Sequence, residues 1–379
     1  MLAHFSHHLL TALPVPLLPF IRDDFALDYT RSGLVISAFG LAYGFGQLPA
    51  GWLADRIGRP VLITIAISGV ALSGLLVGVS QTYIMMLIFL VLMGVVGGGY
   101  HPASPPLITA SVEPKNQGRA LGFHMIGGSA SFFVVPFIVA AIAPAWGWRG
   151  VFIALGLPVI VFGMVLYVLL GRCVATKKAG QRITSSDTAT LPPSGRWHHL
   201  VSFIILTTFN TAVMFSVISF VPLFMVDHFG VSRETAAVFL ALIFSSGLWA
   251  SPLGGYLSDR LGTVPVVLVV CFIGGPAMYL LNLVPYGLGI GALLVILGII
   301  NYVRLPVSEA YIVGQTSERH RSTVLGFYYF GGLEGSGVLT PVIGYLIDQF
   351  GFYLSFTIAG AAVVVVTFAC AILLWGGRD

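Results

Sequence analysis

The chain has 379 residues, of which 57% are hydrophobic and only 8% charged, with a formal net charge of +4. Soluble domains carry about 25% charged residues, so too few ionic groups remain here to solvate a globule of this size. The composition excludes a soluble enzyme, a nucleic-acid binder and a disordered chain, and it makes the lipid bilayer the expected solvent. Three cysteines, Cys173, Cys271 and Cys370, stand far apart in or beside apolar runs and fit neither a disulfide framework nor a zinc site.

A spanning helix needs about 20 mostly apolar residues. In chain order, the apolar runs predict twelve such helices, at 2–21, 32–54, 61–80, 83–111, 120–143, 149–171, 200–226, 235–257, 264–284, 287–314, 323–347 and 353–375. The first run has no basic stretch before it and no small-residue cleavage site after it, so it reads as a retained helix and not a signal peptide. The one long link, 172–197, holds Lys177, Lys178, Ser185, Ser186, Pro192 and Pro193, a polar linker composition. It predicts a bundle over 1–171, a cytoplasmic linker over 172–197 and a second bundle over 198–379. With the N-terminus inside, 13 of the 18 Lys and Arg fall in cytoplasmic segments and 4 in outer ones, and the remaining one, Arg304, lies within a helix. This bias predicts that both termini are cytoplasmic, as expected of a multi-pass protein of a bacterial inner membrane.

Internal repetition organises the chain. Gly51-Trp52-Leu53-Ala54-Asp55-Arg56-Ile57-Gly58 recurs as Gly255-Tyr256-Leu257-Ser258-Asp259-Arg260-Leu261-Gly262, an offset of 204 residues. The same offset maps Leu121-Gly122-Phe123 onto Leu325-Gly326-Phe327, Gly94 onto Gly298 and Pro102 onto Pro306. One offset held across helices and loops predicts an all-α integral membrane protein of twelve helices in two parallel-related bundles of six. The seventh helix begins near Leu200, which maps four residues before Met1. The first helix is therefore expected to lack part of its cytoplasmic end.

Twelve helices, a central linker and a duplicated G-x-L-[AS]-D-R-x-G after helices two and eight resemble the major facilitator superfamily. The resemblance implies a transporter in which Gly51, Asp55, Arg56, Gly58 and Arg59, with Gly255, Asp259, Arg260 and Gly262, form a conformational gate. Pro60 follows Arg59, and the second copy ends in Thr263 and Val264, so the family's further basic residues are missing. Tyr100-His101-Pro102-Ala103-Ser104 and Gly127-Gly128 with Pro136 resemble the fosmidomycin-resistance-type branch. Two marks of drug–proton antiporters are absent: helix four has no arginine, and helix five has no glycine-proline-glycine-glycine run. Read physically, the glycines allow close helix approach, and the acids at helix ends can accept hydrogen bonds from a helix N-terminus or an arginine.

Ionisable residues inside a bilayer cost about 2.5–3.5 kcal/mol each on insertion scales and therefore tend to face a cavity. Arg304 lies about 11 residues, or roughly 16 Å, into helix ten. Its counterpart in the first half is Tyr100, with His101 beside it, and Pro306 and Pro102 follow at matched positions. Each proline removes a helical hydrogen bond and is expected to leave a carbonyl free. Paired polar positions at broken helices suit a binding site. Glu309, five residues after Arg304, can pair with it only if Pro306 bends the helix. Glu334, in a glycine-rich stretch of helix eleven, suits either proton exchange or helix packing. His4 and His8 share one face of helix one, with His7 and His124 also within the membrane. No cysteine or carboxylate accompanies the pair in the sequence, so no metal is expected there. Asn210 in helix seven is a further pore candidate.

No phosphate-binding loop, H-E-x-x-H or G-x-S-x-G occurs, which argues against an ATP-driven pump or a membrane-embedded enzyme. A non-transporting scaffold is disfavoured by the duplicated gate. The reading is a monomeric secondary transporter of a small organic anion, proton-coupled, with no cofactor and no nucleic-acid partner. The alternative is efflux of amphiphilic drugs by proton antiport.

Overall fold

The computed structural model describes residues 1–113, 116–177, 197–316 and 318–375, without the side chains at 51, 55, 117, 118, 171–177, 318–323 and 375. The described residues form α-helices joined by short turns: α1 (Leu2–Thr11), α2 (Pro14–Phe25), α3 (Tyr29–Ile57), α4 (Arg59–Gly78), α5 (Tyr83–Gly97), α6 (Tyr100–Thr109), α7 (Gln117–Lys177), α8 (Trp197–Phe229), α9 (Arg233–Ser245), α10 (Ala250–Leu261), α11 (Thr263–Leu280), α12 (Leu288–Gln315) and α13 (Glu318–Trp375). Hydrocarbon offers no partner to a backbone N–H or C=O, and a helix satisfies both within one segment. At about 1.5 Å per residue, α7 and α13 are far longer than the roughly 30 Å bilayer core. Each leaves helical geometry once, at Gly147 and at Gly351, and so carries two spans. The pairs α1–α2, α5–α6 and α9–α10 are single spans broken midway. The last bends by 43° at Trp249. The spans number twelve.

The duplication is visible in backbone angles. Gly58 and Gly262 have φ of 92° and 88°, Gly147 and Gly351 have 65° and 73°, and Ala26 and Gly230 have 48° and 66°. Every pair is separated by 204 residues. A positive φ brings Cβ against the neighbouring carbonyl oxygen and suits only glycine well. Matched glycines therefore mark matched turns. Ala26 alone among the described residues is a non-glycine with positive φ.

Two compact units are distinguished. The first comprises Met1–Ala26, Ala38–Asp187 and Arg233–Val238; the second comprises Leu27–Ser37, Thr188–Ser232 and Phe239–Asp379. In the first, a Cβ on Gly94 would lie 2.5 Å from the Phe39 carbonyl oxygen, and one on Gly98 would lie 2.7 Å from the Tyr43 carbonyl oxygen. Glycine therefore lets the α5 and α3 backbones touch. The second unit repeats the contact at the same offset, since a Cβ on Gly298 would overlap the Ile243 carbonyl oxygen. Here too, Asp348 caps the start of α3, accepting from the amides of Tyr29 (2.9 Å) and Thr30 (2.8 Å). In the first unit Arg149 donates to the Ser80 carbonyl and to Asp24, both at 2.8 Å.

The expected close approach at Gly255 is not found: nothing lies within 4 Å of a Cβ built there. One residue earlier, Gly254 faces Val303, whose carbonyl oxygen a Cβ would approach to 2.7 Å. Successive residues on a helix point about 100° apart, so only one of the two adjacent glycines can face α12.

Ala26 and Gly230 give a test of opposite sign. Ala26→Gly removes left-handed strain of about 1–2 kcal/mol and should raise the unfolding temperature in detergent. Gly230→Ala, with nothing within 4 Å to clash, should lower it through strain alone.

Candidate functional site

In the first unit, α1, α3, α6 and α7 bring imidazoles and phenols together. α1 contributes His4, His7 and His8 from two adjacent faces. It stops at Thr11, and Pro14 then opens α2 at a position where its missing N–H has no intrahelical role. Tyr100 and His101 open α6, just past the Gly98–Gly99 break that lets α5 lie against α3. His4 stacks on His124 (4.1 Å between ring centroids), and His7 stacks on Tyr100 (4.4 Å). His8 and His101 lie 5.3 Å apart. Hydrogen bonds fix the rings: His4 Nδ1 meets the His124 carbonyl oxygen at 2.8 Å, His7 Nε2 meets the Tyr43 hydroxyl at 3.1 Å, and His8 Nδ1 meets Thr11 Oγ1 at 2.9 Å. Tyr100 and His4 are buried, while His8 and His101 keep partial exposure.

In the second unit the centre is Arg304 on α12, only 2% exposed. Its Nη1 donates to the Thr207 carbonyl (3.0 Å) and to Thr211 Oγ1 (2.5 Å), and its Nη2 donates to Asn301 Oδ1 (3.2 Å). Thr211 can serve because its own hydroxyl proton goes to the Thr207 carbonyl at 2.6 Å. Every one of these acceptors is neutral. Among the described residues no carboxylate pairs with Arg304, and Glu309 instead meets the Tyr329 hydroxyl. A buried guanidinium without a counter-charge strongly favours an anion beside it. The carbonyl freed by Pro306, that of Tyr302, is not vacant as expected from the sequence, because Ser251 Oγ donates to it at 3.1 Å. This bond lets α12 stay continuous where α5–α6 breaks.

The remaining candidates divide. Asn210 is buried and its amide donates to the Leu206 carbonyl at 3.0 Å, so it is tied to its own helix and not to Arg304. Glu334 on α13 is half-buried, and its Oε1 has no hydrogen-bond partner. In the duplicated motif Arg56 lies over Trp52 (4.2 Å) and Arg260 over Tyr256 (4.7 Å), the aromatic four residues earlier in each copy. Gly58 and Gly262 supply the positive φ before α4 and α11, and Arg59 opens α4. Asp259 is exposed on the last turn of α10. The Asp55 side chain and the surroundings of Gly51 lie outside what is described.

Sequence reasoning missed Tyr43, Thr207, Thr211 and Asn301, and gave His124 no role. Hydroxyls and amides are common in membrane helices, and nothing in their spacing marks them as partners of a distant arginine. His124 carried a signal as an intramembrane histidine. The missing information was that α7 passes beside α1. The sequence also discounted a metal for want of a third ligand beside His4 and His8; the fold supplies His101 from α6, with ligand atoms of all three within 4.8 Å of one another.

Residues 1–303 and, again, 203–379 match the Major Facilitator Superfamily. The chain belongs to that superfamily. The overlapping second match begins near the repeat offset, as a duplicated fold should. Among relatives, one from Cupriavidus necator, described as "Probable sulfoacetate transporter SauU", is 27% identical, covering 92% of this chain and 86% of that protein. The multidrug resistance protein MdtG of Proteus mirabilis is also 27% identical, over 93% of this chain and 89% of that one. A solved bacterial homologue of the human lysosomal transporter Spinster shares the fold with a TM-score of 0.81 at 20% identity, covering 99% of this chain and 94% of that one. The protein is a multi-pass membrane protein and a secondary transporter of small molecules, not an enzyme.

The Arg304 network makes a measurable demand. Thr211→Val deletes a hydrogen bond to a charged group, worth about 1.5–3 kcal/mol, and should lower the unfolding temperature in detergent clearly. Thr208→Val should be mild by comparison, because the Thr208 hydroxyl is occupied by the Ile204 carbonyl of its own helix at 2.6 Å.

Proposed function

We propose that this transporter carries a small organic anion together with protons, by alternating access across a bacterial inner membrane with both termini in the cytoplasm. The observation that carries the reading is Arg304: a guanidinium buried to 2% exposure and held only by neutral acceptors. Such a group is costly to leave uncompensated, and a solute carboxylate or sulfonate would supply the missing charge in a bidentate geometry. The 27% identity to a protein described as a sulfoacetate transporter points the same way. Glu334 is the proton carrier in this reading, since its carboxyl is half-buried with one oxygen free of partners, and intramembrane acids serve as proton relays. The two G-x-L-[AS]-D-R-x-G copies act as the gate, with Asp55 and Asp259 accepting hydrogen bonds that break when the transporter changes state.

The test is uptake of labelled sulfoacetate and related small anions by proteoliposomes under an imposed pH gradient. Arg304→Lys keeps the charge but loses the planar fork; it should weaken binding by about tenfold to a hundredfold. Glu334→Gln should preserve binding and exchange while abolishing accumulation driven by the gradient. If Glu334→Gln concentrates solute as the parent does, Glu334 is structural.

The gate is tested separately. Asp55→Asn and Asp259→Asn should each slow uptake while leaving the folded protein abundant and its equilibrium binding intact; unchanged uptake kinetics in both would remove the gate from the mechanism. A second reading, efflux of amphiphilic drugs by proton antiport, is favoured by the relationship to MdtG. It predicts that cationic dyes, and not small anions, move under the gradient and that Arg304→Lys leaves their movement unaffected.

A further inference from the structure

Three imidazoles in the first unit converge. His4 and His8 stand four residues apart on α1, and His101 reaches them from the start of α6. One ring nitrogen from each lies within 4.8 Å of the others. The hydrogen bonds around them decide which nitrogens are available. A carbonyl oxygen can only accept, so the His4 Nδ1 that meets the His124 carbonyl at 2.8 Å carries the proton. The lone pair of that ring is therefore on Nε2, which is buried and has no hydrogen-bond partner. His4 itself is 2% exposed. A buried acceptor left empty is expensive, at about 1–3 kcal/mol, and calls for a ligand. In His8 the Nδ1 meets Thr11 Oγ1 at 2.9 Å, and when Nδ1 donates to that hydroxyl the lone pair lies on Nε2. No hydrogen bond engages the His101 ring among the described residues.

This arrangement is the one by which proteins prepare histidine for a metal. The outer nitrogen donates to a carbonyl or is held by a hydroxyl, the ring orientation is fixed, and the inner nitrogen is left as a lone pair. Three histidines with an open fourth position form a known type of zinc site, with metal–nitrogen distances of about 2.0–2.1 Å. Tetrahedral geometry at that distance separates the nitrogens by about 3.3 Å, so binding draws the rings together from the present spacing, with His101, which no hydrogen bond holds among the described residues, moving most. Imidazole as the sole ligand type selects zinc, cobalt, nickel or copper over magnesium or calcium, which require oxygen.

We propose that His4, His8 and His101 bind one divalent transition-metal ion of the zinc–cobalt–nickel class through three imidazole nitrogens, with a fourth position open to water. The site stands on the geometry of this cluster and holds whatever the transported solute proves to be.

The experiment uses the full-length protein in detergent, with any purification tag removed, titrated with Co²⁺ and then displaced with Zn²⁺. The expected result is one equivalent of Co²⁺ with the intense visible bands of a four-coordinate centre, lost when Zn²⁺ is added. His101→Gln and His8→Gln should each weaken binding by at least the roughly 10–100-fold that loss of an outer partner alone costs. The pair His198 and His199, at the start of α8, lies outside the cluster, and replacing both with alanine should leave the signal unchanged. Absence of a stoichiometric Co²⁺ spectrum would overturn the proposal, as would a signal that survives His101→Gln but disappears with the His198/His199 change. Should the cluster variants fail to fold, crystals of the parent soaked in Zn²⁺ decide the matter. An anomalous peak about 2.0–2.1 Å from three imidazole nitrogens supports the site; a peak elsewhere, or none, refutes it.

Discussion

In both units a glycine lies where one helix backbone meets the carbonyl of another: Gly94 against Phe39 in the first, Gly298 against Ile243 in the second. Lipid tails are as apolar as leucine, so the hydrophobic effect does not press membrane helices together; van der Waals packing and interhelical hydrogen bonds must do so. A bare Cα allows that packing at backbone distance. The rest follows from it. Tyr43 and His101 come within reach of α1 only because α5–α6 lies this close to α3, as Gly98 against the Tyr43 carbonyl also requires. Arg304 finds its acceptors on α8 because α12 is set among its neighbours with the same closeness.

The two units spend this closeness differently. The first gathers imidazoles and phenols, stacked at centroid distances of 4.1 to 5.9 Å. The second buries a permanent charge among neutral acceptors. Proline chemistry separates them at matched positions. Pro306 leaves the Tyr302 carbonyl without its helical donor, and the Ser251 hydroxyl replaces it, so α12 continues. Pro102 follows the Gly98–Gly99 break, and the span resumes as a separate helix with Tyr100 and His101 at its start. A repeat with one backbone plan thus carries two chemistries, clustered imidazoles and phenols in one unit and a buried guanidinium in the other.

Much of the fold was legible in the sequence because its causes are local or periodic. Apolar run length against bilayer thickness gave twelve spans, and the duplicated G-x-L-[AS]-D-R-x-G motif gave the repeat offset. The turns at Gly58 and Gly262 and at Gly147 and Gly351 then proved to share backbone angles. Errors arose where one residue of angular register decides a contact. Gly255 was assigned the close approach that Gly254 makes, because a motif names positions and not the face each one turns to its neighbour. The carbonyl at Pro306 was expected to be vacant because its donor, Ser251, lies 51 residues away in the chain.

The sequence by itself determined the solvent, the class of fold, the duplication and the small set of ionisable groups placed in the membrane, since each follows from composition, spacing or the cost of burying charge. Tertiary structure alone decided who meets whom. It left Arg304 with three neutral acceptors and gave Glu309 to Tyr329. It also turned the His4 and His8 pair into a three-histidine cluster by delivering His101 from another helix. The physical reason is that helical periodicity fixes which residues share a face, whereas the partner of that face depends on crossing positions set by glycine contacts between helices distant in the chain.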